Sequence, residues 1–166
     1  PISRRDAMNQ HAQNDAQRPG FVAGIDYGEK RLGVAIAHRE HGIATPLTTY
    51  QRCGDTADAR WFRRLVDEHD ITQFVVGLPV HLDGHESAKS REARRFGQWL
   101  AEQTGRGVEF FDERFTTREA EAHLQQAGLT KKRRQARRDM LAAQIMLAGY
   151  LEAGGRGQES PGALDD

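Results

Sequence analysis

Four acidic residues, Asp26, Asp112, Glu113 and Asp139, stand where carboxylates can do chemistry. Asp26 closes the apolar run Phe21-Val-Ala-Gly-Ile-Asp26, and Asp112-Glu113 close Val108-Glu-Phe-Phe-Asp-Glu113, so two runs of strand character end in acids. In an open α/β sheet, ligands gather outside the carboxyl ends of the parallel strands, where loops diverge and helix N-termini point in. Carboxylates desolvated together there repel one another unless a cation neutralises them. Oxygen-only ligation, without Cys or His in the same segments, favours Mg²⁺ or Mn²⁺ over Zn²⁺. Asp139 lies one turn before Ala142 and Ala143, at the border of a basic segment and an apolar helical face. Packing of that face on the sheet is expected to carry it to the strand ends. The basic segment, Lys131 to Arg138, has six positive charges in eight residues and no acid, a pattern that tracks a phosphate backbone by releasing its counterions. Each feature has a plainer alternative: a turn former for Asp26, a surface partner of Arg114 or Lys30 for Glu113, a counter-charge to Arg137 or Arg138 for Asp139, a solvated helix face for the basic run.

The elements that must position these residues follow from periodicity. The run ending at Asp26 is followed by Tyr27-Gly28-Glu29-Lys30 and a second apolar run, Leu32 to Ala37, which predicts two strands joined by a glycine turn. Ile43 to Tyr50, rich in Thr, predicts a third strand, with Pro46 assigning it to the sheet edge. Asp55 to His69 places Ala59, Phe62, Leu65 and Val66 on one side of a helix. Phe74 to Pro79 reads as a short buried strand, the loop Val80 to Ala88 carries Asp83-Gly84, and Ala93, Phe96, Gly97 and Leu100 mark a second helix. Thr116 and Glu119 have capping-box spacing after the strand that ends at Glu113. Met140, Ala143, Leu147, Tyr150 and Leu151 share a face of the last helix. The order βββαβαβαα argues for an α/β fold, a mixed sheet covered by helices.

Composition bounds the functions open to this arrangement. With 166 residues the chain is expected to form one domain, over residues 20–152, with polar tails at 1–19 and 153–166. Lys and Arg number 24, as do Asp and Glu, which excludes a histone-like global attraction to nucleic acid and leaves local charge segregation as the driver. The single cysteine, Cys53, can form neither an internal disulfide nor a thiolate metal site by itself. No apolar run approaches the roughly 18 residues that span a bilayer, and residues 1–18 lack the apolar segment of a secretory signal. A cytoplasmic protein without membrane contact is expected.

The residues also carry a pattern spread along the chain: Gly24-Ile-Asp-Tyr-Gly28 with Lys30-Arg31 and Gly33-Val-Ala35, then Val76-Gly-Leu-Pro79 with Asp83-Gly84, then Asp112-Glu-Arg114 with Thr116-Thr117, then Lys131-Lys132 and Asp139 before Leu141-Ala-Ala143. In order and spacing this resembles the YqgF family, also called RuvX-like, nucleases with an RNase H-like fold. His38, where the family often has an acid, and Phe115, in place of a commoner Leu, depart from it. The resemblance implies a five-stranded sheet in the order 3-2-1-4-5, with Asp26, Glu113 and Asp139 as the carboxylate set holding Mg²⁺ or Mn²⁺.

That set implies hydrolysis of a phosphodiester, the metal lowering the pKa of an attacking water and stabilising the leaving oxygen. Lys30, Arg31 and Arg114 are expected to hold phosphate oxygens, and Lys131, Lys132, Arg133 and Arg134 the backbone beyond. The resemblance points to the precursor of small-subunit ribosomal RNA as substrate. A Holliday-junction resolvase acting on branched DNA would use the same site, and a non-catalytic ribosome-assembly module would keep only the fold. An actin-type ATPase would need a second matching domain, for which the chain is too short.

Overall fold

The computed structural model describes residues 19–79, 87–112 and 130–154. Strands β1 (Phe21–Asp26), β2 (Arg31–His38) and β3 (Ala44–Gln51) form an antiparallel meander. Helix α1 (Asp55–His69) then crosses over to β4 (Ile71–Leu78), which pairs parallel with β1. Helix α2 (Ala88–Thr104) leads to β5 (Gly107–Asp112), parallel to β4, and α3 (Lys131–Glu152) ends the described chain. The sheet order is β3-β2-β1-β4-β5, as the resemblance implies. The expected helix beginning near Thr116 and the loop around Asp83-Gly84 lie outside the described residues.

β4 is buried along all eight residues, as a central strand covered on both faces must be. It starts three residues before the apolar run from Phe74 that marks it in the sequence. Polar Thr72 and Gln73 obscure that start, yet both are buried because they find partners: Thr72 Oγ1 donates to the Phe21 carbonyl at 3.4 Å, and Gln73 Nε2 donates to the Tyr150 hydroxyl at 3.4 Å. β3 is an edge strand, and Pro46, which has no N–H to donate, pairs with Ala35 beside a register shift at Val34/Ala35.

The two faces of the sheet are packed differently. Ala23, Ile25, Leu32, Val34, Phe74 and Val76 meet Phe62, Leu65 and Val66 of α1 and Ala93, Phe96 and Leu100 of α2. The other face offers small side chains, Ala35 and Ala37 with Val22 and Val75, to Ala143, Met146, Leu147 and Tyr150 of α3. Gly24 and Gly33 belong to this second face and let α3 sit directly on the strands. A β-carbon at Gly24 would lie 2.9 Å from Leu147 Cβ, and one at Gly33 would overlap the Asp139 carbonyl.

Candidate active site

Asp26 is the last residue of β1 and is paired with Gly33 of β2. Partners across an antiparallel pair share a face, so Asp26 lies on the α3 side. Because Gly33 has no side chain, the backbone of Asp139 presses on β2 beside Asp26. Arg31 precedes Gly33 by two residues and shares its face, and its Nε donates to Asp139 Oδ2 at 3.0 Å. The partner of Asp139 is thus Arg31, and not Arg137 or Arg138 as the plainer alternative has it. Arg31 Nε thus serves this carboxylate.

Asp26, Tyr27, Gly28, Glu29, Lys30, Arg31, Lys89, Glu92, Gln135 and Asp139 line one cleft of about 440 Å³. It opens at the carboxyl end of β1, between the first turn of α2 and α3, where parallel strands of an α/β sheet collect ligands. Its walls carry four acids and three cations. Lys89 and Glu92 escaped the reading of the sequence. The available signal was a charged pair at i and i+3 near the start of the helix after β4. Glu92 Oε2 is buried and has no hydrogen-bond partner among the described residues, a costly state that a donor or cation entering the cleft would relieve.

The wall at Tyr27 to Lys30 is braced from behind. Asp58 of α1, fully buried, accepts from the Tyr50 hydroxyl at 2.8 Å, the Cys53 amide at 2.9 Å and Arg52 Nε at 3.3 Å. Burial, and then the bond to Asp58, pushes the Tyr50 phenol well above its usual range. Thus fixed, the Arg52 guanidinium lies 5.8 Å from the centre of the Tyr27 ring and 5.6 Å from that of Phe96, while its amide donates to the Lys30 carbonyl at 2.9 Å.

The basic segment forms the first two turns of α3, capped by Thr130, whose side chain accepts from the Arg133 amide at 3.4 Å. Its cations divide between two flanks of the helix. Lys131, Arg134 and Arg138, with Gln135, line a concavity on the cleft side, whereas Arg133 and Arg137 lie with Pro46, Met140 and Leu141 on the β3 side. A period of 3.6 residues places the two sets on separate flanks of one helix. Lys132 is exposed and lines neither.

Glu113 and Arg114 lie outside the described residues. Asp112, the other acid at that strand end, pairs with Leu78. Alternation along β5 puts Glu109 and Phe111 on the α3 side, where both meet Tyr150, and Val108 and Phe110 on the side of α2. Asp112 therefore belongs to the face opposite Asp26. Among the described residues no three acidic, His or Cys side chains close on one point. Asp26 and Asp139 are two hard oxygen donors facing a common cleft, which fits Mg²⁺ or Mn²⁺ once a third acid joins them.

Residues 20–153 match the family model described as RuvX: Holliday junction resolvase. A Rhodopirellula baltica protein named as a candidate pre-16S rRNA nuclease is 42% identical over 142 residues, covering 86% of this chain and 82% of that protein. One from Nitrosospira multiformis with the same name is 38% identical over 145 residues, covering 87% and 96%. Among solved structures, Thermus thermophilus RuvC in complex with a Holliday junction superposes with a TM-score of 0.51 at 14% identity, over 81% of this chain and 96% of that one. The fowlpox virus resolvase bound to junction DNA gives 0.51 at 10% identity, over 82% and 99%. The shared architecture is the RNase H-like fold. Among the described residues no helix is long and apolar enough to cross a membrane.

Proposed function

Because the chain belongs to the RuvX family, we propose that it is a metal-dependent nuclease that trims the 5′ end of the small-subunit ribosomal RNA precursor. The observation that carries this is the convergence of Asp26 and Asp139 in one cleft through the contact of α3 with Gly33. Glu113 completes the set, since Asp112 belongs to the other face. Mg²⁺ or Mn²⁺ held by these carboxylates supplies Lewis acidity and a water of lowered pKa. Lys30 and Lys89, on the cleft walls, draw in and orient the phosphodiester, and Arg114 is assigned the same task. Lys131, Arg134 and Arg138 hold the backbone leading into the cleft.

Placing six cations in the first two turns of a helix opposes its macrodipole, at about 0.3–1 kcal/mol for each residue near the terminus. A phosphate backbone relieves both the dipole and the mutual repulsion of the cations, which supports nucleic acid as the partner. An RNA precursor is preferred over branched DNA because the named relatives are far more similar in sequence than the junction-bound structures, whose 10–14% identity speaks for the fold alone. A ribosomal precursor sets the place of action in the cytoplasm.

The test is cleavage by the purified chain, with Mg²⁺ or Mn²⁺, of precursor RNA, single-stranded DNA and four-way junctions. Asp26→Asn, nearly isosteric and one charge poorer, is expected to abolish cleavage and leave the fold intact. Persistent metal-dependent cleavage by that variant refutes the site. Preferential cutting of junctions moves the substrate to DNA, and binding without cleavage by the unaltered chain supports the assembly module instead.

A further inference from the structure

We infer that Arg31 is a positioning residue, holding one oxygen of Asp139 so that the other faces the divalent cation of the cleft; this rests on the metal-dependent reading above. The contact is a single one, Nε to Oδ2 at 3.0 Å. No other partner of Asp139 occurs among the described residues, which leaves Oδ1 for a ligand. Both side chains are partly shielded, 33% exposed for Arg31 and 19% for Asp139, so the bond is neither a loose surface pair nor a sealed one.

The backbone holds the pair in place from both sides. Arg31 and Gly33 share a face of β2, Gly33 is opposite Asp26, and the Asp139 backbone rests on Gly33. The spacing of guanidinium, Asp26 and Asp139 is therefore set by strand register and helix seating. Lys30 and Lys89 line the same cleft but make no ion pair with Asp139, and neither do its neighbours Arg137 and Arg138. A planar N–H donor fixes a carboxylate's rotation, which a flexible ammonium does not, and metal-ligating carboxylates are typically held by such an outer hydrogen bond.

Geometry and charge make opposite demands on Arg31. As a mere positive charge beside a cation site it would weaken metal binding, and its removal would tighten it. As the group that orients Asp139, its removal weakens binding by about 10- to 100-fold. Arg31→Lys keeps the charge and loses the planar donor, and so isolates the geometric effect.

The experiment is calorimetric titration of the full chain with Mn²⁺, for the unaltered protein, Arg31→Lys, Asp139→Asn and the double variant, with melting curves to confirm the fold. Arg31→Lys is expected to weaken Mn²⁺ binding by about tenfold or more, and to add no loss in the Asp139→Asn background. Unchanged or tighter binding by Arg31→Lys overturns the inference, as does an equal loss where Asp139 is already Asn. If Arg31→Lys melts early, Arg31→Gln decides by sign: weaker binding supports orientation and tighter binding refutes it. No saturable Mn²⁺ binding by the unaltered chain overturns the metal reading and this inference together, whereas normal binding with an indifferent Arg31→Lys overturns this inference alone.

Discussion

Replacing Gly33 by alanine puts the seating of α3 to the test. The new β-carbon would fall well inside the 3.0 Å that such atoms keep from their neighbours, against the Asp139 carbonyl, and 3.1 Å from Asp139 Cα. Both obstacles are backbone, so no rotamer change relieves them, and α3 must lift or β2 must bow by on the order of 1 Å to restore ordinary separations. Overpacking of this kind costs about 1–3 kcal/mol, which lowers the melting temperature by roughly 3–12 °C for a domain of this size. The effect on rate is larger than stability implies, because a 1 Å misplacement of a reacting group costs about 100-fold. Gly24→Ala is the control: its β-carbon meets Leu147 Cβ at 2.9 Å, and the Ala143 carbonyl and Met146 Cε at 3.3 Å, two residues away from Asp26. It is expected to lower the melting temperature similarly, with a rate loss below about tenfold. The assay is initial cleavage rate at saturating Mn²⁺, beside a melting curve, for both variants. If Gly33→Ala is destabilised as expected yet cleaves within about threefold of the unaltered protein, the position of Asp139 does not matter and the reasoning is wrong.

The two flanks of α3 are separable by salt. Arg134→Gln with Arg138→Gln, on the cleft side, is expected to lower the log-log salt slope of RNA binding by about 0.7–0.9 for each phosphate no longer neutralised, measured by fluorescence anisotropy. Arg133→Gln with Arg137→Gln, on the β3 side, is expected to change it less, and the reverse ranking removes the cleft-side track from the substrate path. Tyr150 makes stability sensitive to alkali. Its hydroxyl donates to Glu109 Oε2 at 2.6 Å, and burial, followed by that bond, raises its pKa well above the usual value. The folded chain keeps the proton after the unfolded chain releases it, so this contribution is complete below about pH 10 and is lost as pH rises beyond. Tyr150→Phe is expected to cost about 1–3 kcal/mol in urea unfolding at neutral pH and to flatten the alkaline decline, and an unchanged decline excludes Tyr150 as a source.

The helix Asp55–His69 is legible from the sequence because Ala59, Phe62, Leu65 and Val66 fall on one side of it. Asp26 at a strand end, the edge position of β3 and the basic run before Asp139 are legible for similar reasons. Periodicity records which way a side chain faces on its own element, and composition records which segments can be buried. Neither says which element covers which face. The sequence therefore does not say which face Asp112 takes, and its pairing with Leu78 puts it on the α2 side. Thr72 and Gln73 look like loop residues until Phe21 and Tyr150 supply their partners from distant elements. Gly33 in the sequence marks only a small residue in a strand, and the Asp139 backbone pressed against it turns it into the contact that builds the cleft. The pairing of Arg31 with Asp139, 108 residues apart, and the entry of Lys89 and Glu92 into the cleft belong wholly to the tertiary structure. The sequence by itself determined the chemical kinds of group available and the elements that carry them. Which of those groups meet was decided by strand register and by how closely one helix can approach two glycines, distances that no local pattern encodes.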